Sequence, residues 1–207
     1  ASGDLFGFAA MSLERELGGV ALLLPGAAGD QGPAERAMNV MFDAAGVKQT
    51  VDAHEDGYRM LHQQGQALGD ALIEAARMAR EDDATGIDAR TVDVLLPAQT
   101  RADFHSLART ERMSFMPLAS SAEVYLLRLG NVGLVGVQPE VSSAFGATVR
   151  AARSGSVFFA TLVNGGQKYL PAPDAYEKIT YEAMNSGFAA GSHERLVEII
   201  IAALNAA

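Results

Sequence analysis

The sequence contains no cysteine. Disulfides and thiolate metal sites are therefore excluded, and with them the small secreted disulfide scaffolds. Any metal must be held by histidine, carboxylate or phenolate groups. Long apolar runs are also missing. None approaches the ~20 residues that span a bilayer, so no transmembrane segment is expected. The chain does not begin with a basic stretch followed by an apolar one, and no signal peptide is visible. Basic charge is scarce, and the formal net charge is -9. A nucleic-acid binder shows a basic stripe. The densest basic stretch, Arg101 to Arg112, is interrupted by Asp103 and Glu111. Nucleic acid is not an expected partner.

What is present describes a globular chain. Its 207 residues suit one domain, or at most two small ones, and 49% of them are hydrophobic. A domain of this length buries about 70% of the surface its unfolded chain exposes, so it needs no staples. The 21 glycines point to many tight loops. The opening, ASGDLFGFAAMSLEREL, reads as a helix already inside a domain, which leaves room for a further segment before it.

The spacing of Leu5, Phe8, Ala9, Leu13 and Leu17 predicts a helix over 4–18. GVALLLP (19–25) reads as a buried central strand. A loop follows at 26–33, then a helix at 34–44. A long helix is expected over 56–80, with Gly65 and Gly69 one turn apart where another backbone can approach. A strand is expected at 91–97 and an irregular or partly helical segment at 99–119, with Met113, Phe115 and Met116 in apolar contacts. Strands at 122–130 and 132–137 flank Gly130-Asn131, a hairpin turn signal. A helix at 141–153, a strand at 156–163, a long loop and a last helix at 193–206 complete the pattern. Ser192 is the expected N-cap of that last helix. The order predicts one soluble α/β domain over 1–207, with a mixed sheet flanked by helices.

In open α/β sheets, ligands sit in loops beyond the strand ends. Three loops qualify. PGAAGDQGP can cradle an anion or oxyanion on its amides, or be a tight turn with Asp30 capping locally. It is no P-loop, because the Gly-Lys-Ser/Thr ending is absent. In VGVQPEVSSAFG, Glu140 stands past a strand and before a helix. It can bind a metal, act as a base, or simply complement the helix dipole. Ser142 and Ser143 read as supports of that helix start. In NGGQKYLPAPDAY, Asn164 ends a strand and Tyr169 is a site residue or a packing anchor. The histidines, at 54, 62, 105 and 193, have no metal-binding spacing and read as structural or surface residues. HExxH and GxSxG are absent, and no Ser-His-Asp set is recognisable.

The order and spacing of the three loops resemble the neutral (non-lysosomal) ceramidase family and its bacterial relatives. The family's strand and G-D-x-S-P loop resemble GVALLLPGAAGDQGP, with Gly29, Asp30 and Pro33 in place. Its P-G-E strand end resembles VGVQPEVSSAFG, with Glu140 and Gly146. Its Asn with a tyrosine five residues on resembles Asn164 and Tyr169. Its tyrosine-rich run resembles Tyr176 and Tyr181-Glu182-Ala183. The likeness covers about 17–36 and 122–207 and is weak between.

The resemblance implies the latter part of a hydrolase catalytic domain acting on an amide or ester, with a small-molecule or lipid-like substrate. It implies zinc as cofactor, with Glu140 and Tyr169 as ligands. Gly29, Asp30 and Gly32 fall on the catalytic loop, whose amides would face the oxyanion. Asn164, Tyr176 and Tyr181 fall at substrate-binding positions. Two features depart from the family. Gly32 stands where the family has its nucleophilic serine. The family's two zinc histidines lie upstream of the loop, and residues 1–18 contain no histidine. An upstream segment or a second chain would have to supply them. The other readings are a non-catalytic relative used for binding or assembly, and a metal-independent hydrolase using a different nucleophile or Asp30 as base.

Overall fold

The computed structural model describes residues 3–81, 83–101, 115–152 and 156–206. The chain forms two compact units, Ala1–Leu23 with Gly32–Glu81, and Leu24–Gln31 with Asp82–Ala207.

The first unit contains α1 (Asp4–Leu17), the hairpin strands β1 (Met38–Phe42) and β2 (Lys48–Asp52), and α2 (Asp56–Met78). The two helices pack at the glycines expected to admit a backbone. A Cβ on Gly69 would lie 2.7 Å from Ser12 Cβ, and one on Gly65 would collide with Phe8. Phe8 stacks edge-on against Tyr58 and His62. The helix expected over 34–44 is instead β1. Asp43 explains the difference. Its Oδ1 accepts the N–H groups of Ala45 and Val47, both at 2.9 Å, and Gly46 takes φ +78°. This side-chain turn reverses the chain and pairs Phe42 with Lys48.

The second unit is built on a sheet of β3 (Ile87–Arg101), β4 (Phe115–Leu129), β5 (Val132–Val137) and β7 (Ser156–Ala160), in that order. β3, β4 and β5 are antiparallel, and β5 pairs parallel with β7. The sheet is thus mixed, as expected. The hairpin at Gly130-Asn131 forms, with Leu129 opposite Val132 and Gly130 at φ +57°. β3 and β4 extend into the segment read as irregular, with register continuing to Arg101 opposite Phe115. Met113 and His105 lie outside the described residues.

Between β5 and β7 the chain makes the short strand β6 (Glu140–Val141) and α3 (Ser143–Ala151). Ser142 caps α3, accepting the Phe145 N–H at 3.3 Å. After β7 come β8 (Tyr169–Leu170), α4 (Pro173–Lys178), α5 (Tyr181–Met184) and α6 (Ser192–Asn205). Alternate residues of the sheet, among them Val94, Leu96, Val124, Val135 and Phe159, form one core with Phe145 and Val149 of α3 and Leu196, Ile200 and Leu204 of α6. Ser192 is not the N-cap of α6. Gly191, at φ +93°, holds that position, and Ser192 Oγ donates to the Pro97 carbonyl, tying the helix to β3.

The run at 19–25 is not a strand. Only its last residue is engaged by the sheet, the Pro25 carbonyl accepting the Thr161 N–H at 2.9 Å. A ladder needs a neighbour on the other side, and no described strand lies there. Among the described residues, no helix is long and apolar enough to cross a membrane.

Candidate functional site

β6 and β8 are two residues long, yet they organise a site. They pair in parallel, with Glu140 directly opposite Tyr169 and Val141 opposite Leu170. Alternation along each strand then separates the roles. Val141 and Leu170 are fully buried in the core. Glu140 and Tyr169 point the other way and line a cavity of about 160 Å³. Burying two such apolar side chains stabilises the pair by roughly 1.5–3 kcal/mol each. That anchorage holds the carboxylate and the phenol on one wall.

The loop at 26–33 reaches this wall through Gly29 and Asp30, which also line the cavity. The Gly29 N–H donates to the Val141 carbonyl at 2.8 Å. A Cβ on Gly29 would lie 2.8 Å from the Glu140 carbonyl oxygen, so the close approach requires glycine. Gly146 serves similarly: a Cβ there would lie 2.6 Å from Ala27 Cβ. Asp30 closes the loop onto α3. Its Oδ1 accepts the Ser143 N–H and its Oδ2 the Ser143 hydroxyl, each at 2.8 Å. Burial alone would raise the Asp30 carboxyl, but the hydrogen bonds from Ser143 and Gln31 outweigh it and hold it below the usual carboxylate value. A carboxylate so held is a weak base near neutral pH.

Burial raises the Tyr169 phenol, and the negative field of Glu140 raises it further, with smaller effects from Tyr181 and Glu182. The phenol is therefore protonated at neutral pH unless a cation sits beside it. Tyr181 packs edge-on against Tyr169, ring centroids 5.8 Å apart.

The structure brings together Gly29, Asp30, Glu140 and Tyr169, with Tyr181 stacked behind. It does not bring the others to the cavity. The Tyr176 hydroxyl donates to the Phe188 carbonyl at 2.8 Å. Asn164, at φ +55°, is exposed and not among the lining residues. Gly32 belongs to the first compact unit, where a Cβ would meet the movable end of Arg36. Two of the loop amides expected to face an oxyanion are engaged inside the protein, Gly29 with Val141 and Gln31 with the Ala28 carbonyl.

Sequence reasoning missed Asp174, Lys178 and Thr180, which complete the lining. Their only sequence signal is helical, with Asp174 and Lys178 at i,i+4 and ion-paired. Glu182 also lines the cavity. With Lys178 neutralised by Asp174, the wall is negative through Asp30, Glu140 and Glu182.

Of the histidines, His193 is buried, with Nδ1 3.2 Å from the Pro171 carbonyl and its ring edge-on to Phe145. A carbonyl only accepts, so Nδ1 carries the proton. Burial lowers the His193 pKa. His54 is exposed beside Asp52, and His62 packs on Phe8. These three fit structural or surface roles.

A zinc ion is implied by the resemblance, and the donors can be tested against it. Glu140 and Tyr169 offer a carboxylate and a phenolate from one wall, a suitable pair of hard donors. Among the described residues, no group of three His, Cys, Asp or Glu is placed to hold a metal. A catalytic zinc takes three protein ligands and a water. The pair fits as part of a shell and does not complete one.

No family model matches the sequence, and no curated protein does. Solved structures do. The chain superposes on the crystal structure of neutral ceramidase from Pseudomonas aeruginosa with a TM-score of 0.70 at 16% identity. The match covers 97% of this chain and 40% of that one. A ceramidase complexed with C2 matches with a TM-score of 0.69, also at 16% identity, over 97% and 41%. The fold is therefore ceramidase-like and matches part of those structures, as the motifs led one to expect. The chain spans about 40% of the length of these structures.

Proposed function

We propose that the chain is part of a zinc-dependent hydrolase of the ceramidase-like superfamily, acting on an amide or ester bond of a lipid-like or other small substrate. The observation that carries this reading is Glu140 facing Tyr169 across β6 and β8 on the cavity wall. These two side chains would hold the metal. When bound, zinc supplies a Lewis acid for the substrate carbonyl and a water of lowered pKa. Asp30 positions the loop by gripping Ser143, and Gly29 lets the loop lie against β6. Tyr181 and Glu182 border the place where substrate would enter. The remaining ligands would come from an upstream segment or a second chain.

The test is the metal content of the native gene product. Wild-type protein is expected to purify with about one zinc per chain, and Glu140→Gln to lose most of it, since removing one ligand costs at least as much as the 10–100-fold loss seen for outer-shell changes. Unchanged zinc in Glu140→Gln would sink the assignment.

One observation favours a second reading. Gly32 leaves the loop without the family's nucleophile, as in a non-catalytic relative that keeps the fold for binding or assembly. A native product that purifies without zinc and fails to gain it on incubation with the metal would support that reading.

A further inference from the structure

We propose that Gln138 and Gln167 are positioning residues, which set the geometry of Glu140 and Tyr169 from strand β4, on the reading that this pair holds the metal. Each glutamine stands two residues before a site residue, and each bonds to β4. The β4–β5 ladder ends with Val124 opposite Val137. Glu123 and Gln138 come next in that register, and the residue after Gln138 is Pro139, which has no N–H to donate. Here the Gln138 side chain takes the place of the ladder. Its Oε1 accepts the Glu123 N–H at 3.1 Å, and its Nε2 donates to Glu123 Oε2 at 3.3 Å. The Tyr125 hydroxyl donates to the same carboxylate oxygen at 2.6 Å, which fixes the Glu123 side chain.

The Gln138 main chain then turns to a different neighbour. Its carbonyl accepts the Gln167 N–H at 3.4 Å, and beyond it the Glu140 N–H donates to the Lys168 carbonyl at 2.7 Å. Gln167 makes the second tie, its Nε2 donating to the Ser121 carbonyl at 2.7 Å. Both segments that enter the site are thus held to one long strand of the core sheet, at Ser121 and Glu123. β6 and β8 share only two residue pairs, a short ladder to fix a carboxylate and a phenol by itself. Groups that orient metal ligands from behind tune the metal affinity without touching the metal.

The test compares the native gene product with Gln138→Met and Gln167→Met, and with Glu140→Gln as control. Methionine keeps the side-chain length and removes the hydrogen bonds. Zinc affinity is measured by competition with a chelator, and hydrogen exchange of the Glu140 amide is measured against that of Val135 in the middle of β5. Each methionine variant is expected to bind zinc about 10–100-fold more weakly. Its Glu140 amide should exchange at least ~10-fold faster while that of Val135 keeps its rate. Equal acceleration of both amides would reduce the glutamine to a general stabiliser and overturn its assignment. Wild-type zinc affinity, or wild-type exchange at Glu140, would overturn it too. Where zinc is absent or indifferent to Glu140→Gln, the metal reading falls, and the exchange ratio alone decides whether the glutamines position the pair.

Discussion

Two small strand pairs in this chain behave in opposite ways. β1 and β2 pair over five residues each, antiparallel, and every residue is exposed. β6 and β8 pair over two residues each, in parallel, and carry two fully buried side chains. Length and turn chemistry made the first pair. An isolated two-stranded hairpin has no core of its own and is marginal in water. Tertiary packing made the second, because β6 and β8 are distant in sequence and too short to pair unaided. The site lies on the pair that the core holds, which is where side-chain positions are best defined.

The sharpest way to break the comparison is one truncation in each pair. Leu170→Ala removes a fully buried side chain and is expected to cost about 2–5 kcal/mol. Met41→Ala, on the exposed hairpin, is expected to stay within about 0.5 kcal/mol. Denaturant unfolding of both variants measures the contrast, and equal losses would mean that β8 is not anchored as described.

A smaller effect tests how the wall is joined to α3. Ser142 is buried and caps the helix, so Ser142→Ala is expected to cost about 1 kcal/mol. A loss near zero in the same unfolding assay would detach the cap from the site's stability.

The smallest effect is a pH slope. His193 is neutral when buried, and its folded pKa is lowered. The unfolded chain therefore binds the proton more readily than the folded one. Stability from this group is full above about pH 6.5, the unfolded value, and falls as pH drops below it until the folded pKa is passed. Unfolding free energy measured from pH 7.5 to 5 should decline, and His193→Gln should flatten that part of the decline. An identical slope in both proteins would remove His193 as its source.

Much of the architecture was legible in advance. Helical spacing located α1 and α2, and Gly65 and Gly69 announced the close approach between them. Gly130-Asn131 announced the hairpin. Three errors arose where a specific hydrogen bond, or the lack of a neighbouring strand among the described residues, overrode local spacing. Segment 34–44 became a strand because Asp43 turned the backbone. Ser192 left the cap position to bond Pro97. GVALLLP had the composition of a buried strand and pairs with no strand among the described residues. The candidate site divided in the same way. Glu140 and Tyr169 stood out through loop position and resemblance, whereas Asp174, Lys178 and Thr180 carried no motif and entered the wall through α4 and the turn after it.

By itself, the sequence determined the alternation of elements, the mixed sheet and the two glycine contacts between α1 and α2. These depend on local spacing, turn residues and the absence of a side chain. The tertiary structure alone decided that Glu140 faces Tyr169, that Asp30 grips Ser143 rather than standing free, and that Val20 to Leu24 pairs with no described strand. The first two are pairings between groups far apart in the chain. Such pairings are selected by the burial of Val141 and Leu170 and by the hydrogen bonds a neighbour can offer, and no residue spacing encodes them.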